Sequence, residues 1–100
     1  MFIKIHRPQN IRSVIAICDS EIIGKKFDEG KRQLDVRENF YKGEEVNKER
    51  LLEIIKMQSV EDASFNIVGK ESIQIALEAG IINKEGVHKI KGIPFSLVLL

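Results

Sequence analysis

The segment Gly24-Lys25-Lys26-Phe27-Asp28-Glu29-Gly30 gathers two glycines, two lysines, two carboxylates and one aromatic ring between an apolar run and a short extended stretch. Ammonium groups and accessible backbone N–H groups are what a phosphate needs, and glycine lets a backbone come close to its ligand. The pattern predicts a surface loop, pinned to the core by Phe27, that presents these groups to a partner. Lys31 and Arg32 follow directly, and Arg7 and Arg12 precede it. The expected phosphate contacts are therefore Lys25, Lys26, Arg32, Arg7 and Arg12, with Gly24 and Gly30 freeing the backbone. Tyr41, Phe27 or Phe40 would supply base stacking. The plainer reading, a solvated charged face, competes with this one.

Other reactive side chains point less clearly to chemistry. Cys18 is the single cysteine. This rules out an internal disulfide and any multi-cysteine zinc site. It continues an apolar strand, which reads as a buried structural thiol. His6 and His88 are the only histidines, and neither has a metal-ligand spacing to a second ligand. No metal or cofactor is expected. Gly69-Lys70-Glu71-Ser72 opens a helix, where free N–H groups can hold an anion. It lacks the phosphate-loop spacing, and a tight strand-to-helix entry explains the glycine as well. The adjacent carboxylates Asp28-Glu29, Glu44-Glu45 and Glu61-Asp62 diverge on an extended chain, so acid–base catalysis needs a partner from elsewhere. No catalytic residue is assigned. An enzyme would need a cleft that gathers Cys18, Asp19 or His6 with carboxylates of the acidic segment.

These groups sit in a chain of 100 residues, 43% hydrophobic and 31% charged, which predicts one folded domain over residues 1–100. With 16 Lys and Arg against 15 Asp and Glu, one Cys and no Trp, the composition suits a heat-tolerant intracellular protein. Charge is uneven. Residues 1–34 carry seven basic against four acidic groups, residues 35–65 five against eight, and the rest four against three. Lys4, His6 and Arg7 interrupt the apolar N-terminus, so no signal peptide is expected. No apolar run reaches the ~18 residues of a membrane span.

Positioning falls to alternating strands and two amphipathic helices. Phe2–His6 reads as a strand, followed by a turn at residues 7–10. Residues 11–18 form a second strand, apolar on both faces and so central or covered on both sides. The two make a hairpin. Asp19 or Ser20 caps one helical turn over 21–23, and residues 31–36 form a third strand. Residues 39–47 read as a loop anchored by Phe40 and Tyr41. Asn47 caps a helix over Lys48–Gln58, with Leu51, Leu52, Ile54 and Ile55 as its stripe. An extended stretch over 60–68 leads to a second helix over Lys70–Ala79, closed by Gly80. Two strands, 87–90 and Ile93–Leu99, turn through Lys91-Gly92. The expected class is α+β: a two-layer sandwich with a mostly antiparallel sheet covered by two helices.

Several segments together resemble a known family. They are Phe2-Ile3-Lys4-Ile5-His6-Arg7, Val14 to Cys18-Asp19, Gly24-Lys25-Lys26-Phe27 with Gly30, Phe40-Tyr41-Lys42-Gly43, Asn66-Ile67-Val68-Gly69, Ala76 with Gly80, and Gly92-Ile93-Pro94. Their order and spacing resemble a family of small archaeal proteins of unknown function, numbered four-two-four. A familiar form of the last motif has histidine after the proline. Here that position is Phe95, so no histidine chemistry is carried over. The resemblance implies an archaeal cytoplasmic protein with a two-layer α/β fold, described in the family as RNA-binding or linked to translation.

Two functions follow as expectations. The first is a non-enzymatic RNA-binding or translation-associated domain, its partner ribosomal or transfer RNA or a translation-associated protein, with no membrane contact. The alternative is a protein-interaction module using the acidic segment 35–65 or the apolar C-terminal strand. The oligomeric state is open.

Overall fold

The structure is a computed structural model and describes residues 1–9, 12–59 and 62–99. Asn10 of the expected turn, Ile11 and Val60 at expected strand starts, and Leu100 lie outside the described residues.

Eight strands form. They are β1 (Phe2–His6), β2 (Ser13–Cys18), β3 (Lys26–Glu29), β4 (Arg32–Asp35), β5 (Glu44–Glu45), β6 (Ala63–Val68), β7 (His88–Ile90) and β8 (Ile93–Leu99). The described residues also hold three α-helices: α1 (Glu38–Tyr41), α2 (Lys48–Gln58) and α3 (Lys70–Ala79). Six strands make one sheet in the order β5-β1-β2-β6-β8-β7. All its pairings are antiparallel except the central one, where β2 and β6 run parallel from Ser13↔Ala63 to Cys18↔Val68. A parallel pair needs a crossover, and here the chain from residue 19 to 62 supplies it. The result is the expected α+β sandwich with a mostly antiparallel sheet.

Alternation sorts the side chains into two cores. Ile3, Ile15, Ile17, Phe65 and Ile67 face α2 and α3, where they meet Leu51, Ile54, Ile55, Ile73 and Ala76. Ala16, Cys18 and Val68 face the opposite way, toward Ile22, Leu34, Val36, Tyr41 and Ile90. Residues 15–18 of β2 are all fully buried, as the double-sided apolar run predicts. Asn47 caps α2 by accepting the Arg50 N–H at 2.9 Å.

The second core shows where the sequence expectation needs correction. Residues 24–30 are not a plain loop, because Lys26–Glu29 is a strand paired antiparallel to Arg32–Asp35. This two-stranded sheet does not join the main one. It folds over its second face, with Phe27 and Leu34 turned inward. Gly30 and Lys31 make the two-residue turn, and glycine with φ +62° stands at its first central position, as a type II′ turn requires. Within the expected loop 39–47, Phe40 and Tyr41 do anchor the chain, but from the single turn α1 and beside the short edge strand β5.

Candidate nucleic-acid interface

The expected phosphate contacts fall into separate places. Lys25 leads into β3, and its backbone is engaged: its N–H donates to the Ile22 carbonyl at 3.1 Å, and its carbonyl accepts from Val36 N–H at 2.9 Å. Gly24 N–H donates to the Val36 carbonyl at 2.7 Å, so this glycine closes the hairpin base and does not offer its amide outward. Lys26 stands on the outward face of the hairpin with Asp28, Gln33 and Asp35, all exposed. Gln33 Nε2 donates to Asp28 Oδ1 at 2.8 Å there. That face carries more acid than base.

Arg32 takes the inward face near the turn. Its guanidinium lies over the Phe95 ring, 5.9 Å from the centroid, and His88 approaches the same ring at 5.8 Å. Glu29 Oε1 accepts the Lys91 N–H at 2.9 Å, tying the β3–β4 turn to the β7–β8 turn. Lys91 has φ +53°, and with Gly92 it forms the two-residue turn that closes β7 on β8. Arg32 and His88 thus meet on Phe95, and the Glu29–Lys91 bond brings the turn holding Lys31 to the turn holding Lys91, from segments about sixty positions apart. Sequence reading missed His88, Lys91 and Phe95, since no local signal links them to the hairpin.

Arg7 and Arg12 sit at the other end of the sheet. They flank the β1–β2 connection, while the hairpin lies over the end of β2 that finishes at Cys18. The six residues of β2 set these ends ~20 Å apart. Arg12 pairs with Asp62 at 2.9 Å and donates to the Ala63 carbonyl at 3.4 Å, and Arg7 donates to Ser13 Oγ at 3.4 Å.

The other reactive groups serve the fold. Burial and the adjacent Asp19 charge push the Cys18 thiol up to about 12, which leaves it protonated and unreactive. Burial likewise raises Tyr41 to about 12. His6 stacks on Phe40 with centroids 4.7 Å apart, and its Nε2 donates to the Phe40 carbonyl at 2.9 Å, docking α1 on β1. Four strand spacings, ~19 Å, separate β1 from β7, so His6 and His88 do not share a site.

Asp19 directly follows β2 and caps α3, which follows the neighbouring strand β6. Its Oδ1 accepts the Ser72 N–H at 2.8 Å and the Ser72 hydroxyl at 2.7 Å, and its Oδ2 accepts the Glu71 N–H at 3.1 Å. Gly69 has φ +113°, and a β-carbon there would overlap the Asp19 carboxyl group. The amides that could have bound an external anion are therefore already taken by an internal one. Asp19, Glu21 and Glu71 each bring one ligand atom within 4.8 Å of the others, a spacing compatible with a cation. Both Asp19 oxygens are occupied, and the arrangement is accounted for as a helix cap.

The fold and this surface define a small α+β domain: a mixed six-stranded sheet, two helices on one face and a charged two-stranded hairpin on the other. The chain belongs to the family described as protein of unknown function (DUF424), whose model matches residues 6–100. It is similar in fold to a solved structure titled as an uncharacterized conserved protein from Methanopyrus kandleri, at 21% identity and a TM-score of 0.80. That match covers 98% of this chain and 89% of the other. No curated protein matches the chain. Among the described residues, no helix is long and apolar enough to cross a membrane.

Proposed function

We propose that this is a non-enzymatic, cytoplasmic RNA-binding or translation-associated domain that takes ribosomal or transfer RNA on the hairpin side of the sheet. The observation that carries the reading is Arg32 over Phe95, with His88 on the same ring and Lys91 tied to the hairpin through Glu29. A base can stack on such an aromatic–guanidinium platform while the ammonium groups of Lys25, Lys26, Lys31 and Lys91 meet phosphates. Gly24 and Gly30 shape the hairpin that carries them. Arg7 and Arg12, at the far end of the sheet, would meet a different part of an extended RNA. The test is binding of bulk transfer and ribosomal RNA across a salt series. Lys31→Glu with Arg32→Glu should weaken binding by about tenfold or more and flatten the salt slope. Unchanged affinity would remove the reading.

A second reading, a protein-interaction module, has its own support in β8. The strand runs past the end of β7, whose last pairing is His88↔Phe95. Beyond it Leu97 is 65% and Leu99 71% exposed, on an edge with no charged residue. Such an edge can accept another strand.

A further inference from the structure

A second cationic surface lies on the helix side of β7. Lys70, Ile73, Gln74 and Leu77 fall at positions i, i+3, i+4 and i+7 of α3 and make one wall of a groove. Lys84, Val87, Lys89 and Pro94 make the other, with Lys89 opposite Pro94 in the β7–β8 ladder. The groove holds about 400 Å³, within the range of small-molecule sites. Ile73 and Pro94 are buried, Leu77 and Val87 half-buried, and the three ammonium groups rim this apolar floor.

Among the described residues, no carboxylate lines the groove. Glu78 and Glu85 line the neighbouring depression, and Glu78 is engaged by Lys48 at 3.2 Å. Among the described residues, Lys70, Lys84 and Lys89 make no ion pair. Three like charges around one concavity repel each other unless an anion joins them. Apolar side chains below them offer a place for a carbon skeleton, and the exposed Gln74 amide can both donate and accept.

From this juxtaposition we infer that the groove between α3 and the 84–94 segment binds a small amphipathic organic anion, its phosphate or carboxylate among Lys70, Lys84 and Lys89 and its apolar body on Ile73, Leu77, Val87 and Pro94. The site is distinct from the hairpin surface and does not depend on RNA binding.

Naphthyl phosphate, naphthol and inorganic phosphate separate the two halves of this chemistry. Amide chemical shifts of the full chain, followed during titration with each, give both affinity and place. Naphthyl phosphate should saturate, move the amides of Gln74, Leu77, Val87 and Lys89, and bind at least about tenfold more tightly than either fragment. Lys84→Glu with Lys89→Glu should weaken it by about tenfold, while Lys25→Glu with Lys26→Glu leaves it unchanged. These lysines are exposed, and the dispersion of the same spectra reports that the variants are folded. Equal binding of inorganic phosphate and naphthyl phosphate, shifts centred elsewhere, or indifference to the Lys84–Lys89 reversal would overturn the site.

Discussion

Asp19 and Ser72 meet across 53 positions of sequence, and one carboxylate oxygen takes both the hydroxyl and the backbone N–H of the serine. The end of the central strand β2 is thereby fastened to the first turn of α3. The pair is buried, with Asp19 3% and Ser72 0% exposed, so its hydrogen bonds face little competition from water.

Asp19→Ala should destabilise the fold by ~2–4 kcal/mol. It orphans two backbone N–H groups and a buried hydroxyl and removes a favourable charge from the helix start. Asp19→Asn keeps one good acceptor and should cost about half as much. Urea denaturation followed by circular dichroism gives both values. Equal stability of Asp19→Ala and the parent would contradict the capping role.

Gly69→Ala should be at least as damaging, because strain at φ +113° adds to overlap with the Asp19 carboxyl group. Relief of the overlap but not of the strain is expected in the double variant with Asp19→Ala. The two costs should therefore be less than additive. A double-mutant cycle of unfolding free energies measures the coupling.

Stability should fall as pH rises above about 9. The unfolded chain releases the Cys18 proton near 9, whereas the folded chain holds it to about 12. Tyr41 behaves in the same way between 10 and about 12. In that window the unfolded state binds fewer protons, so the slope is negative, up to ~1.4 kcal/mol per pH unit for each group. Cys18→Ala should flatten the early part of the curve. A native chain that reacts with a thiol reagent as fast as the unfolded one would contradict the buried state of Cys18.

Leu97→Lys with Leu99→Lys should abolish any concentration-dependent association, since charge on a strand edge opposes pairing with another strand. Sedimentation of the parent and this variant over the same concentrations decides the matter. If the parent sediments as a monomer and captures no partner, the interaction reading of β8 falls.

Local pattern made much of this fold legible. Period-2 and period-3.6 apolar spacing gave Phe2–His6, Lys48–Gln58, Lys70–Ala79 and Ile93–Leu99 with the bounds observed. β4 falls within the strand expected over residues 31–36, but β3 and its pairing were obscured because the hairpin's outward face is wholly polar, leaving only Phe27 and Leu34 as an apolar signal across both strands. Glu38–Tyr41 is a single turn, too short to show any period. The candidate surfaces were less legible still. Arg32 meets Phe95, and Lys70 shares a groove with Lys84 and Lys89, only through tertiary folding. The basic excess by segment falls in the first third of the chain, whereas Lys70, Lys84, Lys89 and Lys91, which make no ion pair among the described residues, lie in the last.

The Asp19 cap also bears on the order in which the chain takes shape. α3 can form its turns from local contacts, but its first turn is completed only when β2 and β6 come into register. Closing that loop of about fifty residues costs on the order of 3 kcal/mol of chain entropy before any contact rewards it. Substitutions at Asp19 should then speed unfolding more than they slow folding, if the cap joins after the rate-limiting step. During synthesis the Asp19 cap cannot form until residue 72 has emerged, so the join between β2 and α3 is made only after most of the chain has been synthesised.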